Sequence, residues 1–408
     1  KSTADQNLWE QQAGFRKERS CTDQIATLRI IVEQSIEWNS SLYTCFVDFE
    51  KAFDSLDRQT LWKILRHYGI PLKFVNLIKN SYEGATCHVV NEGRLTECFE
   101  IRTAVRQGCL LASFLFLLAI DWIMKSITEN KKNGIQWTLW SQLDDLDYAD
   151  DLALLSHNRE QAQEKATDLL NVAAQVGLKI NKGKTKLLKI NTRSEEPVRL
   201  DSEPVEEVET FIYLGSVVDK QGGTDTDLKS RIAKARGAFL QLGNIWSSKE
   251  IGRNTKLRLF NTNVKSVLLY GAETWRTTKV NLKKLQTFVN QCLRRILKIH
   301  WPERISNKDL WQKTQQCPID EEILRRRWGL FGHTLRKPAN NITRQALTWN
   351  PQGKRKRGRP RNTWRRDLEA NIKETGLRWQ QVVVAAQDRN RWRTVVNGLC
   401  SRRSDGPK

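Results

Sequence analysis

Two adjacent carboxylates, Asp150 and Asp151, stand between two apolar runs in the segment LDYADDLALL, which begins at Leu146. Both runs have the length of a strand, and the polar centre is long enough only for a tight turn. The pattern therefore predicts a β-hairpin with the two aspartates at its tip. Two like charges this close raise each other's pKa unless a cation neutralises them. Taken alone, an Asp-Asp pair is more often a solvated acidic turn.

A third carboxylate, Asp48, lies near the end of the apolar run LYTCFVDF, residues 42–49. An unpaired carboxylate at the end of a buried strand costs on the order of several kcal/mol, so it must reach solvent or meet a cation. Carboxylates that converge from separate strands suit Mg²⁺, which takes oxygen ligands and shares its shell with phosphates. Two such ions, roughly 3.5–4 Å apart, stabilise the attacking and leaving oxygens of a phosphoryl transfer. No Ser-His-Asp set, P-loop or dinucleotide fingerprint competes with this interpretation.

Two loops contain further candidate residues. Gly108, just before an apolar helix, has no Cβ, so a flat base or sugar can approach its backbone; a simple helix-entry turn is the alternative. Arg16 and Arg19 precede a helix that Thr22 is expected to cap, and they can hold phosphates there or form an ordinary solvated turn.

The elements that must position these residues change in character along the chain. Strand and helix signals alternate up to Gly222-Gly223, with a polar connector at 191–205, and helical periods dominate afterwards. The pattern predicts an α+β chain with boundaries near 220 and 300. The expected helices and strands are: helices at 57–67, 71–82, 113–127, 159–176, 225–246, 253–270, 281–299 and 320–336; strands at 42–49, 87–90, 95–101, 187–190 and 211–218.

Composition limits the class of protein. A net charge of +22 and a pI near 9.8 point to a polyanionic partner, and 39% hydrophobic with 28% charged residues indicate a folded chain. The most apolar run, Leu110 to Met124, is too short to span a bilayer and contains Asp121. The N-terminus is polar, without a signal peptide or an initiator Met, so we expect a fragment of a longer protein.

The eight cysteines show no Cys-x-x-Cys spacing and suit reduced thiols in an intracellular protein. A zinc site from Cys292, His300, Cys317 and His333 is an alternative, but the spacings fit no common zinc pattern.

The order of these motifs resembles the reverse transcriptases of non-LTR retrotransposons (long interspersed elements). The resemblance covers about residues 10 to 220 and continues more loosely to the C-terminus. The matching segments are: the fingers motif Gln-x-Gly-Phe-Arg within Gln12–Thr22, the first catalytic motif Phe46–Asp54, the template and nucleotide motif Arg106–Cys109, the second catalytic motif Tyr148–Asp151, the motif from Gly177 through Thr185, and the primer grip Tyr213–Gly215.

The resemblance implies a right-hand polymerase with fingers and palm at 1–220, a helical thumb at 221–300 and a basic, Trp-rich helical region at 301–408. It implies that Asp48 and Asp150 ligate two Mg²⁺ ions, that Asp151 completes the triad and that the carbonyl of Phe49 is a further ligand. Mn²⁺ is expected to substitute.

The resemblance also assigns roles around the metals. Phe53 would collide with a ribose 2′-hydroxyl and so select deoxynucleotides; a plain core Phe is the alternative. Lys184 would assist the departing pyrophosphate, with Lys182 and Lys186 as near substitutes. The remaining expected contacts are: Gln107 and Gly108 with the nucleotide and template, Arg16 and Arg19 with the triphosphate or template, and Tyr213, Leu214 and Gly215 with the primer.

The function implied is RNA-templated DNA synthesis primed by a nicked chromosomal target. Its partners are an RNA template, a DNA primer and deoxynucleoside triphosphates, with no membrane; the expected location is the nucleus, after a cytoplasmic ribonucleoprotein stage. The chain departs from the family where Lys17-Glu18 replace Pro-Gly and Ala112-Ser113 replace Ser-Pro. The family's upstream endonuclease and C-terminal zinc knuckle are not seen. The alternative is therefore a decayed element that binds nucleic acid without polymerising.

The tail contains Arg357-Gly358-Arg359-Pro360, which resembles the AT-hook core that lies in the minor groove of A·T-rich DNA. A generic basic, nuclear-import-like run is the alternative. Either one adds salt-dependent affinity for nucleic acid. The tryptophans of this region are expected to be core anchors rather than stacking platforms.

Overall fold

The computed structural model of the chain describes residues 7–101, 103–106, 108–129 and 131–404. These residues form two compact units. The first contains the described N-terminal residues through Gln24, with Gln34–Leu214 and Trp349–Lys356; the second contains Ile25–Glu33, Gly215–Thr348 and the described residues from Arg357 onward. The division of the chain at about 220 and 300 into fingers with palm, thumb and tail stays a prediction.

A five-stranded sheet is the centre of the first unit. Its central strand is buried at every position and pairs antiparallel with a neighbour on each side, as an unbroken apolar run predicts. The strands, in spatial order, are β13 (Glu206–Glu207), β10 (Lys186–Ile190), β1 (Leu42–Val47), β9 (Asp151–Ser156) and β8 (Asp145–Tyr148).

Short strands lie outside this sheet. The predicted pair around residues 91–94 is confirmed as two nested antiparallel ladders. The predicted polar connector at 191–205 is wrong in part: it contains a small hairpin, because Val198, Leu200 and Val205 are buried in the core. These strands are β2 (Thr86–Cys87), β3 (Val90–Asn91), β4 (Arg94–Leu95), β5 (Phe99–Glu100), β6 (Ile135–Gln136), β7 (Gln142–Leu143), β11 (Arg199–Leu200), β12 (Glu203–Pro204), β14 (Thr210–Tyr213) and β15 (Ser216–Asp219).

The helices of this part of the chain are α1 (Cys21–Glu37), which passes through both units, α2 (Ala52–Ser55), α3 (Arg58–His67), α4 (Leu72–Tyr82), α5 (Leu110–Thr128) and α6 (Arg159–Gln175). The predicted cap of α1 at Thr22 is wrong. Ser20 caps this helix instead: its hydroxyl accepts a hydrogen bond from the backbone of Asp23, whose carboxylate accepts one from the Ser20 N–H. This reciprocal capping box satisfies two N–H groups at once.

Helix α5 begins at Leu110, three residues before the predicted start, and is longer than the apolar run counted in the sequence. Within the described residues it is the one helix long and apolar enough to cross a membrane by length and composition. Most of it is buried in the hydrophobic core of the first unit. A helix that is apolar all round is expected when neighbours cover it on all sides.

The second unit is helical beyond β15, as predicted. One hydrophobic core, containing Trp246, Phe260 and Trp275, extends from Leu228 to Ile323. The predicted helix at 253–270 contains a π-helical turn, Phe260–Lys265. The helices are α7 (Asp225–Gln241), α8 (Gly243–Ser247), α9 (Arg253–Leu259), α10 (Ser266–Leu268), α11 (Lys279–Ile296), α12 (Asn307–Thr314), α13 (Ile319–Arg336), α14 (Ile342–Ala346), α15 (Trp364–Thr375), α16 (Trp379–Gln387) and α17 (Arg389–Ser404), with a 3₁₀ turn at Ala272–Thr274.

The tryptophans of the tail are mostly core residues, as predicted. Trp328, Trp349, Trp364 and Trp392 are each at most 5% exposed, whereas Trp379 is 39% exposed and packs against Phe331. Since four of the five are buried, they are not available to stack on bases.

Candidate active site

The predicted acidic hairpin is present. Strands β8 and β9 are joined by the two-residue loop Ala149-Asp150, and Tyr148 is paired with Asp151 across it. Ala149 has a φ of +59°, a positive value at the first loop position, as in type II′ hairpin turns. A non-glycine residue in this conformation costs about 1–3 kcal/mol and persists only where its surroundings hold it.

Asp48 meets this hairpin through the register of the sheet. It directly follows β1, and Val47 of β1 is the Cα partner of Leu152 in β9. One position further, the antiparallel register sets Asp48 opposite Asp151. The buried Oδ2 of Asp48 accepts no hydrogen bond, and its ion-pair partner is Lys184, whose Nζ lies 3.4 Å away.

The three carboxylates influence one another. Partial burial and then the charge of Asp48 raise the pKa of Asp150. Partial burial and then the charges of Asp150 and Asp48 raise the pKa of Asp151 to about 6, although Asp151 lies at the surface. Mutual repulsion of this kind is relieved when a cation binds between the groups.

The metal site is not preformed by side chains alone. Among the described residues, no three His, Cys, Asp or Glu side chains are close enough together to hold an ion, and this also removes support for the zinc alternative. The donor set nevertheless fits Mg²⁺, since all of its atoms are hard oxygens and a bound triphosphate would complete the shell. Two backbone hydrogen bonds join the segment after β1 to the basic turn. The N–H of Asn181 donates to the carbonyl of Asp48, and the N–H of Glu50 donates to the carbonyl of Lys179. The carbonyl of Phe49 takes part in neither bond.

The three lysines of the basic turn, Lys182, Lys184 and Lys186, have different ion-pair partners. Lys182 pairs with Asp201 at 2.9 Å and with Glu203 at 3.2 Å, and Lys186 pairs with Glu206 at 2.5 Å. Lys184 pairs with Asp48 and is otherwise largely exposed. Of the three, Lys184 is therefore the one beside the site carboxylates.

The other aspartates of the acidic segment point into the core. Asp144 pairs with the buried Lys165 at 3.1 Å. Asp145 and Asp147 are fully buried; desolvation raises the pKa of Asp145 to about 7, and desolvation with the neighbouring Asp145 raises that of Asp147. They lie beneath the hairpin tip and are not placed to bind a substrate at the surface.

Phe53 is half-buried, which is compatible both with a sugar gate and with a core residue. Its ring stacks on the buried Phe116 with centroids 4.3 Å apart, and its carbonyl accepts a hydrogen bond from Val105 at 2.9 Å. This bond ties the loop that contains Gly108 to the first catalytic motif. Gly108 has a φ of +81°, is exposed, and has no atom within 4 Å of the place where a Cβ would be. Gln107 lies outside the described residues.

The two arginines of the N-terminal segment are held by the protein itself. Arg16 donates to the carbonyls of Trp9 and Gln12, and Arg19 forms an ion pair with Glu10 at 2.5 Å. Glu18 has a φ of +61°, a region that favours glycine, which is what the related motif has there. The predicted contacts of Arg16 and Arg19 with triphosphate or template stay predictions.

Tyr213, Leu214 and Gly215 lie at a turn with positive φ at Leu214 (+48°) and Gly215 (+77°). Tyr213 is buried, and its hydroxyl donates to the carbonyl of Leu146 at 2.8 Å. The tail residues Arg357, Gly358, Arg359 and Pro360 are all exposed and outside regular secondary structure.

Sequence reasoning missed one residue that contacts the hairpin tip. The side chain of Gln12 is bonded to both backbone groups of Ala149. Its place at the start of the Gln-x-Gly-Phe-Arg segment was the available signal, but nothing in that spacing indicated a partner more than a hundred residues away.

One known family and several known proteins are similar to this chain. A family model described as reverse transcriptase (RNA-dependent DNA polymerase) matches residues 1–218, and one for a domain of unknown function (DUF6451) matches 238–270. The chain is 30% identical over 180 residues to the Pol polyprotein of the Drosophila melanogaster type-2 retrotransposable element R2DM, an alignment covering 43% of this chain and 16% of that protein.

The chain is also 20% identical over 370 residues to the RNA-directed DNA polymerase of the mobile element jockey from Drosophila funebris, covering 84% of this chain and 39% of that protein. It thus spans well under half of either relative. Among solved structures, apo telomerase from Candida tropicalis matches 85% of this chain and 60% of its own, with a TM-score of 0.42 at 15% identity.

The family match covers more than half of the chain and includes both catalytic motifs, and the mixed helix and sheet architecture agrees with the predicted right-hand polymerase class. The chain belongs to the reverse transcriptase (RNA-dependent DNA polymerase) family, among the polymerases of non-LTR retrotransposable elements.

Proposed function

We propose that this chain catalyses RNA-templated DNA synthesis for a non-LTR retrotransposon, by a two-metal nucleotidyl transfer primed on nicked target DNA. The observation that carries the proposal is the sheet register, which sets Asp48 opposite Asp151 and next to the hairpin turn that contains Asp150. The partners would be an RNA template, a DNA primer and deoxynucleoside triphosphates. The nucleus is the expected site of the reaction, after a cytoplasmic ribonucleoprotein stage.

The residues that would hold the two Mg²⁺ ions, or Mn²⁺ in their place, are Asp48, Asp150, Asp151 and the carbonyl of Phe49. When bound, the ions would neutralise the phosphates and stabilise the attacking and leaving oxygens. The carboxylate atoms support this role, because the Oδ2 of Asp48 is buried and accepts no hydrogen bond. The protein's own part is to keep these ligands fixed by the β1–β9 pairing.

Lys184 would supply positive charge or a proton to the departing pyrophosphate. Its contact with Asp48 favours it over Lys182 and Lys186, which have acidic partners elsewhere. Gln107, Gly108, Arg16 and Arg19 would contact nucleotide and template, and Tyr213, Leu214 and Gly215 would contact the primer.

Phe53 would act as the sugar gate. The ring of Phe116 supports one face of it, so a shift away from an incoming 2′-hydroxyl would require repacking of the core. A rigid aromatic ring is a better steric filter than a mobile aliphatic chain.

Primer extension by purified protein on an RNA template tests the proposal. Wild-type protein should add deoxynucleotides, and Asp150→Ala should abolish the addition while template–primer binding is retained. Binding without extension at any Mg²⁺ or Mn²⁺ concentration would instead identify a nucleic-acid-binding remnant.

A further inference from the structure

The catalytic hairpin lies at the edge of its sheet, and the N-terminal segment covers that edge. Strand β8 is the outermost strand, so one side of its backbone lacks a strand partner. Ala13 donates to the carbonyl of Asp147 at 2.9 Å, and the Nε2 of Gln24 donates to the same carbonyl at 2.9 Å and to that of Gln11 at 2.7 Å. Residues 11–14 therefore replace a sixth strand next to the site.

The side chain of Gln12 forms two hydrogen bonds with the backbone of the turn residue Ala149. The N–H of Ala149 donates to Oε1 of Gln12 at 2.9 Å, and Nε2 of Gln12 donates to the carbonyl of Ala149 at 3.3 Å. The N–H of Gly14 also donates to Oε1, at 2.7 Å. Two N–H groups facing one atom fix which end of the amide is oxygen. Gln12 is 1% exposed, so water does not compete for these bonds.

Gly14 makes this approach possible. A Cβ at Gly14 would lie 2.3 Å from the nitrogen and 2.8 Å from the Cα of Ala149. The two backbones are thus closer than any side chain permits. This contact and the Gln12 amide enclose Ala149 from one side, which accounts for the persistence of its left-handed conformation.

We propose that Gln12 is a positioning residue for the reaction, which holds Ala149 in its left-handed conformation and thereby fixes the direction of the next residue, Asp150. The inference rests on the proposed function for its consequence, but the clamp is a property of the fold. Misplacement of a catalytic group by about 1 Å can reduce a rate by about 100-fold. Gln12 therefore controls the rate of nucleotide addition without contacting a substrate.

The first test compares Gln12→Met with a matched control. Gln163 forms the same two-point amide clamp on Arg199, with both bonds at 2.8 Å, on the hairpin of β11 and β12. Gln12→Met should lower the kcat of single-nucleotide addition by about 10- to 100-fold, with an unchanged KM for deoxynucleotide and an unchanged Kd for template–primer. Gln163→Met should leave kcat within about twofold of wild type. Equal kcat values for both variants would overturn the inference.

The variant Gln12→Glu keeps an acceptor for the N–H groups of Ala149 and Gly14, loses the donor to the Ala149 carbonyl and adds a buried carboxyl group. It should recover part of the lost rate, a partial rescue that a merely space-filling role would not give. If Gln12→Met does not fold, the comparison of Gln12→Glu with wild type decides: an unchanged kcat contradicts the inference.

The second test does not depend on activity. Hydrogen exchange of the Ala149 amide should be slow in wild-type protein and at least about 10-fold faster in Gln12→Met, since the hydrogen bond from this amide to Oε1 of Gln12 is lost. Gln12→Glu keeps an oxygen acceptor for this amide and should exchange more slowly than Gln12→Met. Exchange within β1 should not change. If wild-type protein fails to extend primers, the proposed function fails, but hydrogen exchange still tests the clamp. Exchange of the Ala149 amide at the wild-type rate in Gln12→Met would refute the clamp.

Discussion

At the scale of single residues, the positive charge of Lys184 offsets the negative charge of Asp48 at the candidate site. Lys184 provides a positive charge next to a carboxylate whose Oδ2 is buried. The lysine is mostly exposed, so solvent screens this pair and its contribution to stability is small. Its position beside Asp48 agrees with the role proposed for Lys184 at the departing pyrophosphate.

Substitution of Lys184 by Met should lower kcat for nucleotide addition by about 100-fold, the usual size of an acid–base or charge contribution. Lys182→Met is the matched control, because Lys182 pairs with Asp201 and Glu203 instead. Steady-state extension with saturating nucleotide measures both. Equal losses in the two variants would mean that the turn contributes only general positive charge.

Replacement of Phe53 by Val should increase the use of ribonucleotides relative to deoxynucleotides by about 10-fold or more, because it removes the ring that is proposed to collide with the 2′-hydroxyl. Phe53→Tyr keeps the ring and should keep the selectivity. The ratio of kcat/KM for the two sugars, measured on one template, is the readout. An unchanged ratio in Phe53→Val would leave Phe53 as a core residue that packs on Phe116.

At the scale of elements, strand β8 contains two buried aspartates, Asp145 and Asp147. Asp145 and Asp147 are two positions apart, so both face the same side of the strand, and that side is the core. Asp144, which directly precedes the strand, forms an ion pair with Lys165, whereas Asp145 has two buried carboxylate oxygens that accept no hydrogen bond. The stability of the strand that leads to the Ala149-Asp150 turn should therefore depend on the ionisation of Asp145 and Asp147.

Asp145→Asn should stabilise the protein in a pH-dependent way. Burial raises the pKa of Asp145 to about 7, so its stabilising protonated form is complete below the ordinary value near 4 and is lost as the pH rises to about 7. The variant should raise Tm at about pH 8 by roughly 2–4 °C or more, and by less at about pH 5. Asp144→Asn should lower Tm at about pH 8, because it leaves Lys165 buried without its ion-pair partner. Thermal scans of both variants with the same sign would contradict this account.

The elements could be predicted from the sequence where a single signal dominates. The unbroken apolar run of β1, the hairpin of β8 and β9, and the helical periods after residue 220 all form as expected. The start of α5, the cap of α1 at Ser20 and the hairpin of β11 and β12 were missed, because local capping alternatives and burial by distant residues decide them.

The site was predictable to the level of its motifs and no further. Asp48 and Asp151 are a hundred positions apart, and only the order of the motifs suggested that they meet. The choice of Lys184 among three lysines and the clamp from Gln12 depend on which side chains face each other in the folded sheet. Periodicity contains no information on such contacts, since it describes each element alone.

At the scale of the whole molecule, the chain has a net charge of +22, whereas the candidate site is locally acidic. A basic surface attracts nucleic acid, and the carboxylates form a local exception where the proposed metal ions would bind. The exposed run around Arg357 and Arg359 adds to this charge, whereas Arg355 pairs with Glu37 at 2.8 Å.

A test of the tail must spare the fold. Removal of residues 354–366 would take away Trp364, which is 3% exposed and begins α15, so substitution is the better design. Arg357→Ala with Arg359→Ala should weaken DNA binding and reduce the slope of log K against log salt by about 2, one unit for each lost phosphate contact. Titration at several salt concentrations measures this, and an unchanged slope would exclude the run from the DNA contact.

The same two positions distinguish the two interpretations of the tail. Arg357→Lys with Arg359→Lys keeps the charge but not the flat guanidinium that enters a narrow minor groove. Loss of a preference for A·T-rich DNA would favour the AT-hook, and wild-type binding to all sequences would favour a generic basic run.

The central claim, that Asp48 and the hairpin aspartates form a polymerase centre, is tested most directly by single-nucleotide addition to a DNA primer on an RNA template. Wild-type protein, Asp48→Asn, Asp150→Asn and Glu50→Gln would be compared at saturating Mg²⁺. Glu50 is the control: it is a carboxylate two residues from Asp48 that pairs with Lys179 at 3.0 Å. The account predicts a loss of about 1,000-fold or more in kcat for both aspartate variants and near wild-type activity for Glu50→Gln. Full activity in Asp48→Asn or Asp150→Asn would contradict it.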